Sequence, residues 1–354
     1  MNRQKIHSFC LALMALAIIV RLAGQVQAYL LWQEEQTPTL WRVDIESAAP
    51  MPLVHTTEAP VSAAAQDKLP AQTPSDEAWP EQTVLEADAE TDIPVAPEYE
   101  PVTFSPEEAD AIAVSGACTY PFDKAALLTR PTALDFSQDG PKVLIVHTHA
   151  SEAYTQEAGY EYESSGELRT QDQTRSVIRI GSEIARLLED AGIETIHDTT
   201  LNDYPSYDGA YARMETIIET HLAQYPSIQI VLDVHRDAVE DQSGFPAALT
   251  ADVAGEDCAR LMFVVGTDEG GLEHPDWQEN LANALKLQAL LNRSAPGLCR
   301  DIDLRTERFN QHERPGSMLL EFGASGNTLS QALRTARLFS DALVTFINGT
   351  EKIS

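Results

Sequence analysis

The pattern of apolar and polar positions changes near residue 119, and the second part of the chain reads as alternating strands and helices. Val143–Val146 is an unbroken apolar run, which fits a strand buried on both faces. Val177, Ile180, Ile184, Leu187, Leu188 and Ala191 then fall on one face at helical spacing, and Gly192 suits the left-handed position that ends such a helix. A short strand is predicted at 194–197. A helix follows at about 207–223, with Met214, Ile217, Ile218 and Leu222 on one side. Further buried strands are predicted at 228–234, at Leu261–Val265 and at 318–320, with helices at about 276–292 and 329–346. The stretch 247–253 suits one strand of a small hairpin. This alternation predicts an α/β domain, a mostly parallel sheet flanked by helices, because right-handed crossovers join parallel neighbours.

The first third of the chain has a different pattern. Arg3 and Lys5 precede an apolar run at 8–20, which Arg21 interrupts. Apolar character resumes at Tyr29, Leu30, Leu31 and Trp32. Basic residues ahead of an apolar stretch place the N-terminus inside and the rest outside. Residues 1–31 are therefore expected to be a cytoplasmic tip and a single membrane anchor, or a signal peptide cleaved after Val26-Gln27-Ala28. Residues 32–116 hold 18 acidic side chains against two basic ones, Arg42 and Lys68, and about half of the 20 prolines. Such a segment buries too little apolar surface to offset its ordering entropy, and reads as an extended, disordered spacer. The folded domain is expected at 117–350.

The net charge of −31 excludes nucleic acid as a default partner, since phosphate binding needs clustered Lys and Arg. Four cysteines (Cys10, Cys118, Cys258 and Cys299) form no CxxC pair, so a cysteine-based zinc site is not expected.

The candidate chemistry lies where the apolar strands stop. His147 and His149 follow the first, His235 follows the second, and Glu321 follows the last. In an open parallel sheet, sites form outside the carboxyl ends of strands, so these remote residues are expected on one edge. Two imidazoles, one carboxylate and an open position for water make a hydrolytic zinc site. Glu321 is expected to move the proton between water and leaving group. Glu152, three residues after His149, is a candidate third ligand, with Asp172 a weaker one. Arg236 is a candidate for holding a substrate carboxylate or an oxyanion, or for a structural ion pair with Asp233 or Asp237.

Three motifs in order carry a family resemblance: 147–154 (His-Thr-His-Ala-Ser-Glu-Ala-Tyr), 233–238 (Asp-Val-His-Arg-Asp-Ala) and Leu320-Glu321-Phe322-Gly323 through Asn327. They resemble the stage II sporulation protein P family of endospore-forming bacteria, over roughly 118–348. The resemblance implies a membrane-anchored cell-wall hydrolase with a zinc N-acetylmuramoyl-L-alanine amidase domain. It implies His149 and His235 as metal ligands and Glu321 as the catalytic carboxylate. The amidases' metal-binding glutamate falls on Thr170 here, within 168–172 (Leu-Arg-Thr-Gln-Asp). The third ligand is then Glu152, or else His147. The implied reaction cleaves the amide joining N-acetylmuramic acid to L-alanine during engulfment, at the sporulation septum. The implied partners are peptidoglycan, the membrane and stage II sporulation proteins D and M. A non-catalytic wall-binding scaffold and a stem-peptide endopeptidase are the competing readings.

Overall fold

The computed structural model describes residues 100–351. The expected anchor at 1–31 and most of the spacer lie outside the described residues. No helix among the described residues is long and apolar enough to cross a membrane.

A seven-stranded sheet organises the fold. Its strands are β1 (Val114–Gly116), β2 (Val143–Val146), β3 (Thr195–His197), β4 (Ile230–Asp237), β7 (Leu261–Val265), β8 (Ile302–Leu304) and β9 (Ser317–Ala324), in the order β1-β8-β7-β9-β4-β2-β3. β5 (Thr250–Val253) and β6 (Glu256–Ala259) form a separate antiparallel hairpin. Every pairing in the large sheet is parallel except β7 with β9. The mixed α/β, mostly parallel expectation therefore holds, with one reversal. The hairpin delivers the chain into β7 from the opposite direction, so β7, β8 and β1 run against the other four.

β2 is buried along its whole length, as its apolar run requires. The helices are α1 (Pro106–Asp110), α2 (Lys124–Thr129), α3 (Val177–Asp190), α4 (Ala210–Gln224), α5 (Trp277–Ser294) and α6 (Leu329–Glu351). The Ser176 hydroxyl accepts from the Ile178 N–H and caps α3. Gly192, at φ +80°, lets the chain turn back after that helix. The apolar stripe of α3 (Val177, Ile180, Ile184, Leu188) joins the main core with Phe339, Leu343 and Phe346 of α6 and Ile145 of β2.

Two expectations change. The folded part begins earlier than residue 117, because α1 and β1 lie within the stretch assigned to the spacer. Val114 to Gly116 pair with Ile302 to Leu304, so this edge strand is held by backbone bonds that composition does not encode. His235 and Glu321 do not follow their strands but lie inside them, in direct register on β4 and β9. Cys118, Cys258 and Cys299 are all free thiols.

His147 is fully buried beneath α3, away from the expected metal site. Its Nδ1–H donates to the Val234 carbonyl at 3.0 Å, because a carbonyl can only accept. Its Nε2 therefore accepts a hydrogen bond from the His197 Nε2–H, 2.9 Å away. Burial, with His197 adding to it, pushes His147 down to about 3, and burial lowers His197 to about 4. In the unfolded chain both titrate near 6.5. Between about pH 6.5 and 4 the unfolded state thus binds more protons, and stability falls as pH falls, by up to about 1.4 kcal/mol per pH unit for each ring. Denaturant midpoints measured from pH 7 to pH 5 should fall, and His197→Gln should flatten the slope. Gly181 of α3 completes the pocket: a Cβ there would lie 2.6 Å from both Nε2 atoms, so Gly181→Ala should lower the midpoint at any pH.

Candidate functional site

The site is built on the β2–β4–β9 edge. Side chains two apart along a strand share a face, so Asp233 and His235 point the same way. The register of β4 against β9 then sets Glu321 beside His235. His149, on the turn after β2, brings its ring edge-to-face with His235, centroids 5.2 Å apart. Glu152 Oε2 lies 3.4 Å from His235 Nδ1. His235 Nε2 is 2.9 Å from Asp233 Oδ1, although out of line for a hydrogen bond. Asp233 is itself fixed by the Thr148 N–H and hydroxyl, at 2.8 and 2.6 Å.

The turn carrying His149 and Glu152 is tied down from several sides. The Arg236 backbone N–H donates to Glu152 Oε2 at 3.2 Å. The Tyr154 hydroxyl donates to the Phe322 carbonyl at 3.0 Å. Arg169 reaches Asp203 at 2.7 Å and comes within 3.7 Å of Glu152. Tyr207 stacks on His149, centroids 4.3 Å apart, with its hydroxyl 3.0 Å from Nε2.

The electrostatics suit a cation. Burial alone would lower His235, but Asp233 and Glu152 on either side raise it well above its ordinary value. Burial would raise Glu152, yet the neighbouring His235 and Arg236 outweigh it and hold the carboxyl well below the usual range. The pocket thus keeps a positive charge on His235 between carboxylates, which a metal ion could supply instead. Burial, with His235 adding to it, lowers His149, so its imidazole is neutral as a ligand must be. His149 Nδ1 and Glu321 Oε2 are buried without hydrogen-bond partners. Burial, reinforced by Glu152 against the opposing pull of His235, pushes Glu321 up to about 8.

His149, His235 and Glu152 therefore fit a zinc ion in donor type, and His149 Nδ1 is left without a hydrogen-bond partner. Glu152 and His235 are within 4.8 Å of one another, but the three ligand atoms together are not. Among the described residues only Glu215, His312 and Glu313 reach that spacing, and there Arg308 already donates to Glu215 at 2.9 Å.

Other candidates are placed elsewhere. His147 has both nitrogens engaged on the far side of β2, so it is not the third ligand. Arg236 does not reach the cleft: its Nε and Nη2 donate to the carbonyls of Ala153 and Leu168, at 2.9 and 3.0 Å. Arg236→Met should leave the Ala153 carbonyl without a donor and the Leu168 carbonyl with the Ala153 N–H alone, and cost about 1–3 kcal/mol in denaturant unfolding. Asp172 closes a turn on Thr174, and Thr170 bonds the Glu163 carbonyl. Asp233 and Tyr207 were missed as site residues. Asp233 had a signal, its i, i+2 relation to His235. Tyr207 had none, since a distant loop brings it in.

Comparison with known proteins bears out the family resemblance. The model of the family described as stage II sporulation protein P matches residues 27–344. The chain belongs to that family. A curated relative, stage II sporulation protein P of Bacillus subtilis (strain 168), is 25% identical over 227 residues, covering 61% of this chain and 53% of the relative. The chain thus spans about half the length of that relative. Two solved structures are similar to it at low identity. N-acetylmuramoyl-L-alanine amidase AmiC2 of Nostoc punctiforme is 15% identical, with a TM-score of 0.33, covering 59% of this chain and 98% of that one. The N-acetylmuramyl-L-alanine amidase Ami1 from Mycobacterium smegmatis is 12% identical, with a TM-score of 0.35, covering 60% and 98%.

Proposed function

We propose that this chain is a peptidoglycan hydrolase that cleaves the amide between N-acetylmuramic acid and L-alanine of the stem peptide. The observation that carries this reading is the register pair His235 and Glu321, with His149 and Glu152 against the same imidazole. Family membership supports it. His149, His235 and Glu152 would hold zinc, and Asp233 would orient His235 from behind. A bound zinc ion would polarise the scissile carbonyl and acidify a water. Glu321 takes that water's proton and returns it to the departing L-alanine nitrogen. Its raised proton affinity keeps the carboxyl near the operating pH, which suits both transfers.

On this reading residues 1–31 anchor the chain in the cell membrane, and the acidic spacer carries the domain outward into the wall. The setting is the sporulation septum during engulfment, with stage II sporulation proteins D and M as partners. The alternative is a wall-binding scaffold without catalysis, favoured by the incomplete convergence of the three ligands.

Purified protein loaded with zinc should release free L-alanine amino termini from purified wall, read by mass spectrometry. Cuts between stem residues would mean an endopeptidase. Wall binding without any new amino terminus would favour the scaffold.

A further inference from the structure

The cleft beside Glu321 continues across β7 and β8 to β1 as a mostly polar space of about 520 Å³. Three arginines line it: Arg260, Arg300 and Arg305. Arg300 is neutralised by Asp237 at 2.6 Å. Arg305 lies between Asp303 and Glu307, at 3.6 and 3.4 Å. Arg260 differs from both. Among the described residues no carboxylate comes within ion-pair distance of it. Its Nη2 donates to the Cys299 carbonyl at 2.7 Å, while its Nε is buried without a partner. A guanidinium carries five donors and cannot shed its charge, so a half-satisfied one in a cleft needs an acceptor.

Arg260 is also held more firmly than a surface cation. It sits at the junction of β6 and β7. Its N–H donates to the Leu249 carbonyl at 2.8 Å, and its own carbonyl accepts from the Gly323 N–H at 3.0 Å. The second bond ties it to β9, two residues past Glu321. The guanidinium therefore keeps a set relation to the catalytic carboxylate. Of the two lining acids with no arginine pair, Glu321 is not within ion-pair distance of Arg260, and Asp301 is exposed, where water and salt screen it.

We propose that Arg260 anchors a carboxylate of the peptide stem, which makes it a specificity residue for substrates whose stem carries a free acid. This deepens the hydrolase reading above and rests on it. A carboxylate meets the fork of a guanidinium through two parallel hydrogen bonds, whereas a carboxamide offers one acceptor and no charge.

The test compares soluble muropeptides whose stem carboxylates are free or amidated, cleaved by the zinc-loaded protein. The wild type should favour the free acid in kcat/KM by about 10- to 100-fold, mainly through KM. Arg260→Gln should bring that ratio close to one, and Arg260→Lys should restore part of it. A melting curve shows whether each variant is folded. If Arg260→Gln does not fold, the charge-keeping lysine variant decides, by lowering or not lowering the ratio. A wild type indifferent to amidation overturns the proposal, as does a folded Arg260→Gln that keeps the preference. Wild type that cuts neither substrate overturns the hydrolase reading and takes the subsite with it, a result distinct from equal cleavage of both.

Discussion

Glu321→Gln should reduce release of L-alanine amino termini by about 100- to 10,000-fold while zinc content stays near that of the wild type. The amide keeps the shape of the side chain but cannot accept and return a proton. Because Glu321 Oε2 has no hydrogen-bond partner, the substitution breaks no native bond at that atom. Removing a half-buried carboxyl whose proton affinity rises on folding should keep or raise stability at neutral pH. Activity and stability should thus separate. A Glu321→Gln variant that still cleaves wall at the wild-type rate removes Glu321 from the chemistry.

The second large effect concerns metal content. His235→Ala should abolish bound zinc, because it removes the imidazole on which Glu152, Asp233 and His149 converge. His149→Ala and Glu152→Ala should each lower stoichiometry as well. Asp233→Asn should weaken zinc affinity by about 10- to 100-fold without removing a ligand, the usual effect of losing the carboxylate behind a metal-bound histidine. His147→Gln provides the contrast. It should cost stability, since the Val234 carbonyl and His197 lose a partner, yet keep zinc. Metal analysis of the dialysed proteins decides these cases. Full zinc in Glu152→Ala would reject Glu152 as third ligand.

The strands show how much was legible beforehand. β2 and β7 match their predicted spans, because an unbroken apolar run between polar flanks is a local signal for a buried strand. The helices α3 and α5 match within two residues, a helix being a local signal too, as the helical spacing of apolar residues in α3 shows. β1 and β8 were not predicted. Each has three residues, and they exist by pairing with strands far away in the chain. The reversal of β7 was equally hidden, since the apolar pattern of a central strand is the same in either direction.

The candidate site divides along the same line. That His149, His235 and Glu321 belong together followed from chemistry-bearing residues at apolar strands, read one strand at a time. Which of two histidines in His147-Thr148-His149 faces the cleft did not follow. Both sit at the same strand parity, and only the turn after Val146 separates them, with His147 under Gly181 and His149 against Tyr207. Arg236 looked like a ligand-binding cation, but the loop from Ala153 to Leu168 folds over it and takes its donors.

Residue order alone therefore determined the α/β class, the principal buried strands and the residue types available at the candidate site, since these depend on spacing and composition within short windows. Tertiary packing decided which imidazole faces the cleft, which of the three arginines lining the cleft lacks a counter-ion and how β7 runs. Those outcomes depend on burial and on partners contributed from distant parts of the chain, and no local pattern contains them.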